Sequence, residues 1–348
     1  MKKFDELAEN ISEEDYRNNG RIHYSDIAGY LRDGFSHVLK KEKETSPSIM
    51  FGSLVDCLVT EGTDKFNEKY CVERKFNISD NQKAVAKRLA DMGYSEFEDI
   101  DSQTILSLLD EMDLYSKNKP WTRVSKINEC KDYFDFIVSS RGKTPVDSDT
   151  YNEAVETANI LVSSRNTNVF FDDSRNDGLD RYFQLKFNGD YEGIPITCMV
   201  DETIVDHERK KVWLVDLKTT MHGYEWEFPK SFVAWNYDIQ CRMYSYIVRQ
   251  VMDRDDFYKD YELCGFTFIY ISKTNKSPLI WTFDDPLKRG TIKTKDFELE
   301  DFSVPLKELY EIRTNNLMVP QWVSTTTGND IIEGLDKIYR HANKNQTV

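Results

Sequence analysis

The chain has no two cysteines placed to clasp a metal together. Its six cysteines (Cys57, Cys71, Cys130, Cys198, Cys241 and Cys264) stand singly, with no C-x-x-C pair, which argues against a zinc knuckle, an iron–sulfur cluster and a disulfide framework alike. Five histidines are scattered without an H-E-x-x-H, so a zinc hydrolase of that type is excluded. No apolar run approaches the ~18 to 20 residues that span a bilayer, and the start MKKFDELAEN lacks the apolar region of a signal peptide. The expectation is a cytoplasmic protein with no membrane association. Positive charge is short as well: 46 Lys and Arg stand against 61 Asp and Glu, a formal net charge of −15. Proteins that grip phosphates usually show a basic footprint, so any such footprint here is expected to be local, with the acidity on the outer surface. Internal repeats and low-complexity segments are absent.

With 348 residues, 39% of them hydrophobic and 13% aromatic, the chain can bury a sizeable core, and its length allows one elaborated domain or two. Residues 1–20 are polar and acidic and read as a loosely held, flexible arm. Ile22 to Leu39 reads as a helix with Ser25 as its N-cap. SIMFGSLVDCLVTEG is apolar almost all round and is expected as a buried helix. Asp56 is its one charge before Glu61, and a buried acid costs several kcal/mol unless paired or metal-bound. Gly52, four residues earlier, leaves room on the same face for a close approach.

Residues 73–142 are more polar and read as a helical insert. There Lys83, Lys87, Arg88 and Trp121 could line a nucleic-acid path or form a solvated amphipathic face. A helix capped by Asp147 or Ser148 follows, then the strand LDRYFQLKFNGDYEG, on which Gln184 could face a site. After a loop punctuated by Gly223 and Pro229, SFVAWNYDIQCRMYSYIVRQVMD reads as one long helix, with Gln240 and Tyr244 as neighbours on one face. Those two could be an interior amide and phenol satisfying each other, or groups beside a substrate. A second strand pair follows, with Lys273 and Lys276 near its turn, and then a C-terminal helical extension after about 286, with helices at 306–316 and 331–341.

The densest chemistry lies in GIPITCMVDETIVDHERKKVWLVDLKTT. Apolar and β-branched runs flank a charged turn at 206–211, which is the pattern of a hairpin. If it closes symmetrically, Val205 pairs with Val212 and Asp201 falls opposite Asp216. Opposed residues sit roughly 4.5 to 5.5 Å apart at Cβ, and like charges there are destabilising, so something positive should lie between them. Side chains alternate faces, which puts Asp216 and Lys218 on one side. Two hard oxygen donors so close suit Mg²⁺ or Mn²⁺.

Taken together, FGSLVDCLV, GIPITCMVDETI, WLVDLKTT, YDIQCRMYSY and FIYISKT resemble the PD-(D/E)xK nuclease superfamily, and within it the RecE-like phage exonucleases of the exonuclease VIII type. The resemblance runs from about Tyr24 to Pro286. It implies an α/β (α+β) fold with a restriction-endonuclease-like core, a central mixed sheet flanked by helices, spanning 21–348 as a single nuclease domain. It implies that Asp201 and Asp216 bind one or two Mg²⁺ or Mn²⁺ ions, that the Leu217 carbonyl offers a further ligand, and that Lys218 is the signature lysine. Gln240 and Tyr244 match the helix motif that contacts the DNA end or the attacking water. Asp56 stands where many members carry His, an oxygen ligand in place of an imidazole. The implied activity is metal-assisted phosphodiester hydrolysis, run 5′→3′ from the ends of linear double-stranded DNA. It would leave a 3′ single strand for a recombinase or annealing protein, and the enzyme would be a ring-shaped homo-oligomer. A structure- or sequence-specific endonuclease of the same fold, and a catalytically inactive DNA-binding or assembly protein, are the alternatives.

Overall fold

The computed structural model describes residues 2–34, 37–38, 46–172, 175, 177–220, 227–293 and 298–315. The expected turn at Gly223 and the final helix at 331–341 lie outside them. The chain divides into two compact units, Gly62–Val155 and the remainder. The smaller carries a short parallel pair, β1 (Tyr70–Val72) with β2 (Thr144–Val146), and helices Asp80–Asp91, Ser102–Glu111, Pro120–Asn128 and Lys131–Ser139. Its own core gathers Val85, Leu89, Ile105, Leu109, Ile127 and Phe134, all buried. The basic residues noted in this stretch largely face acids: Lys83 pairs with Asp80 at 3.6 Å and Arg88 with Glu111 at 3.5 Å. Trp121 remains 70% exposed.

The larger unit is built on a five-stranded mixed sheet flanked by helices, in the order β3 (Leu179–Tyr191), β4 (Ile194–Asp206), β5 (Lys211–Thr220), β6 (Glu262–Ser272), β7 (Pro278–Phe283). All neighbours are antiparallel except β5 and β6, which run parallel. A parallel pair needs a crossover, and here the crossover carries the helices Phe228–Ala234 and Tyr237–Asp253. β3 turns into β4 through Glu192 and Gly193, both at positive φ (52° and 87°), the backbone of a two-residue hairpin turn whose twist matches the strands. The charged turn after β4 is closed by Asp206, whose Oδ1 accepts the Arg209 N–H at 2.8 Å.

Several local features differ from the sequence-based expectation. The helix at Tyr24–Asp33 starts two residues early, with His23 at the N-cap in place of Ser25, because the Asp26 carboxylate accepts the His23 N–H at 2.9 Å. The long helix expected from 231 to 253 is broken: Asn236 takes a left-handed conformation (φ 55°) between the two crossover helices, a state that Asn reaches more cheaply than most residues. Pro229, expected in a loop, sits in the first turn of the shorter helix, where its missing N–H costs nothing. The helix expected at 306–316 is Ser303–Thr314.

The acidic N-terminal residues, expected as a loosely held arm, are fastened to this unit. Phe4 is fully buried against Tyr258 (ring centroids 5.0 Å apart) and Phe187 (6.0 Å), Tyr258 Oη donates to the Lys2 carbonyl at 2.6 Å, and Lys2 pairs with Asp255. One apolar side chain in a charged segment is enough to dock it when it finds an aromatic pocket. Phe4→Ala is therefore expected to lower unfolding stability by about 3–5 kcal/mol, read by urea denaturation. An unchanged midpoint would mean that the arm is not docked.

Candidate active site

The site is assembled on β4 and β5 at the register that the turn implies. Val205 faces Val212, and the ladder continues through Glu202 opposite Val215. The paired residues end there, beside Asp201, whose carboxyl lies within electrostatic range of Asp216. The Asp201 side chain takes up a main-chain bond there: its Oδ2 accepts the Leu217 N–H at 2.9 Å. Asp216 is buried, at 2% exposure. Lys218 Nζ lies 2.5 Å from its Oδ2, and the Gln240 amide donates to its Oδ1 at 2.5 Å. The amide of Gln240 is thus spent on Asp216 and not on Tyr244. Tyr244, one turn along the same helix and 8% exposed, packs edge-on to Phe266 (6.2 Å) and Tyr24 (6.4 Å).

Asp56 arrives from the helix Pro47–Thr60. Ser46 caps that helix, its hydroxyl accepting the Ile49 N–H, and Pro47 occupies its first turn. A Cβ on Gly52 would come 3.0 Å from Thr219 Oγ1, so glycine is what allows the helix to approach β5 so closely. Asp56 Oδ2 accepts the Gln184 amide at 2.9 Å, and Thr60 Oγ1 donates to the Asp56 carbonyl at 2.8 Å.

The electrostatics follow from this crowding. Burial, then the Asp216 and Asp56 carboxylates, push the Asp201 carboxyl well above the ordinary range, with Lys218 pulling the other way. For Lys218, burial works against the charged form, yet Asp216, Tyr237 and Asp201 outweigh it and hold the ammonium above its usual value. The Tyr237 ring lies under Lys218 Nζ at 5.0 Å, and burial pushes its phenol up to about 12. Burial also raises the Tyr244 phenol.

The donor set suits a hard divalent cation in kind: opposed carboxylates with a third acid within electrostatic range, and one lysine against them. Among the described residues no three His, Cys, Asp or Glu side chains are gathered tightly enough to hold an ion. In this arrangement four of the six carboxylate oxygens of Asp56, Asp201 and Asp216 are engaged, by Lys218, Gln240, Gln184 and the Leu217 N–H.

Sequence reasoning placed Gln184 on the strand but not its contact with Asp56, and it missed Tyr237 and Glu202. Glu202 is fully buried, neither carboxylate oxygen has a hydrogen-bond partner among the described residues, and burial drives its carboxyl well up, tempered by Arg181. The available signal was the D-E pair in MVDETI, which puts an acid on each side of a strand. Lys276 pairs with Glu156, and Lys273 Nζ sits 4.9 Å over the Phe51 ring.

No protein-family model matches the chain, and no curated protein matches it. It is similar to a solved structure named "Putative exonuclease" from Eubacterium rectale, at 14% identity over 90% of this chain and 89% of that one, with a TM-score of 0.43. A likeness that distant carries no argument about activity, which has to rest on the site itself. No described helix is long and apolar enough to cross a membrane.

The raised Asp201 carboxyl has a pH signature in the metal-free protein. An acid with a raised folded pKa adds stability below its unfolded value and loses that contribution as pH rises through the folded one. Asp201→Asn should therefore gain over wild type as pH rises from 4 to 8, reaching a thermal midpoint about 1–2 °C higher for each 1 kcal/mol of desolvation and repulsion relieved. A difference that stays constant across that range would contradict the assignment.

Proposed function

We propose that the chain is a metal-dependent deoxyribonuclease whose site is the Asp201, Asp216, Lys218 cluster, and that it acts as an exonuclease on linear double-stranded DNA. The observation that carries this reading is the buried Asp216, gripped by Lys218 on one oxygen and by Gln240 on the other, within electrostatic range of Asp201. A site without a charged ligand gains nothing from burying such a group, since desolvation of a carboxylate is costly.

Asp201 and Asp216 would hold Mg²⁺ or Mn²⁺, with Asp56 and the Leu217 carbonyl as further oxygen donors. The ion, when bound, polarises the scissile phosphate and lowers the pKa of a bound water. Lys218 is held protonated by its acidic neighbours, so its part is to offset charge developing on the phosphate rather than to take a proton. Gln240 fixes the rotamer of Asp216, and Tyr237 supports the Lys218 ammonium from below through its ring face. Tyr244, one turn beyond Gln240 on the same helix, would contact the DNA end or the attacking water. The 5′→3′ polarity, the 3′ single-stranded product passed to a recombinase or annealing protein, and a ring of identical subunits complete the proposal. A ring would place a local basic lining inside an exterior that accounts for the charge of −15.

Digestion of end-labelled linear duplex, compared with a covalently closed circle, tests this directly. Wild type with Mg²⁺ is expected to degrade only the linear form, releasing 5′ label first, and Asp216→Asn or Lys218→Met to lose about 10²–10³ in rate. Cleavage of the closed circle would make the enzyme an endonuclease. Equal activity in the Asp216 variant would remove the assigned site, and a monomer in light scattering with and without DNA would remove the ring.

A further inference from the structure

Asp56 reaches the site from a helix and not from the hairpin, so its carboxylate needs something to fix it beside Asp201. Gln184 is placed to do that. Its amide nitrogen donates to Asp56 Oδ2 at 2.9 Å and lies 3.3 Å from Thr60 Oγ1, one helical turn on. A glutamine contact of this kind would be ordinary but for the backbone beneath it. Gln184 sits in the middle of β3 at φ 54°, a left-handed conformation that is strained for a residue with a Cβ unless its surroundings enforce it.

The disturbance falls opposite Asp201. The β3–β4 register pairs Phe183 with Glu202 and Leu185 with Val200, and passes over Gln184 and Asp201 between them. The core-facing residues change parity at the same point: Ile196, Cys198 and Val200 precede it on β4 and Val205 follows, while on β3 Leu185 and Phe187 face the core on one side and Tyr182 on the other. A regular ladder would keep one parity throughout. The local bend therefore re-aims Asp201 and Gln184 together, as bulges beside functional sites do.

We propose that Gln184 is a positioning residue of the acidic site: its amide orients the Asp56 carboxylate beside Asp201, and its left-handed backbone lifts Asp201 out of the strand ladder. This rests on reading the three acids as a metal site. Partners that orient metal ligands from behind typically govern affinity by about 10–100-fold.

Two variants separate the amide from the bend. Gln184→Gly accepts the same φ without strain but has no amide, whereas Gln184→Met keeps the length and the strain but cannot donate. Mn²⁺ binding is measured by calorimetry on the full chain without DNA, alongside thermal unfolding. Both variants are expected to bind Mn²⁺ about 10–100-fold more weakly than wild type, with the Gly variant no less stable to heat. Wild-type affinity in both variants overturns the proposal while leaving the metal reading intact. Weakening in the Met variant alone overturns the role of the amide. Absence of Mn²⁺ binding by wild type itself overturns this proposal and the metal reading together.

Discussion

Two carboxylates brought together across adjacent antiparallel strands repel each other, and the neighbourhood of Asp201 and Asp216 is organised around that repulsion. Four oxygens of Asp201, Asp216 and Asp56 are met: Lys218 pairs with one of Asp216 and Gln240 donates to the other, the Leu217 N–H donates to Asp201, and Gln184 donates to Asp56. One lysine stands against three acids, and burial, followed by the Asp216 and Asp56 charges, raises the Asp201 carboxyl. In a fold whose apolar strands could have been filled with valine and leucine, that excess makes sense for a site that receives a cation.

The scaffold supplies these positions by small departures from regularity. Asn236 breaks the crossover so that a short helix leads into the one bearing Gln240. Gly52 lets the Asp56 helix press against Thr219. Farther along the Gln240 helix, the buried Arg242 donates to the carbonyls of Lys288, Gly290 and Glu300 and pairs with Asp301 at 3.0 Å, pinning that helix two residues beyond the amide that holds Asp216.

Much of the hairpin was legible in the sequence because its information is local. A charged turn flanked by β-branched runs fixes the pairing of Val205 with Val212, period-two alternation then fixes which side chains share a face, and the ladder follows that register. The mixed sheet flanked by helices was expected from the resemblance of the motif set to the PD-(D/E)xK nucleases rather than from the pattern of any one segment. What escaped depends on contacts made by distant parts of the chain. The docking of Phe4 needs the pocket formed by Phe187 and Tyr258. The left-handed Gln184 has no Gly, Asn or Asp to announce it, and the groups its side chain meets, Asp56 and Thr60, come from another element. The break at Asn236 interrupts a run whose apolar periodicity continues through it.

The reading of Asp201 and Asp216 as a divalent-cation site is open to crystallography. Crystals soaked in Mn²⁺, with an anomalous difference map, test it most directly. A peak is expected within about 2.0–2.6 Å of both carboxylates, with Lys218 Nζ released from Asp216 to make way for it. A map in which Lys218 keeps its grip on Asp216 and no peak lies between the two acids would contradict it.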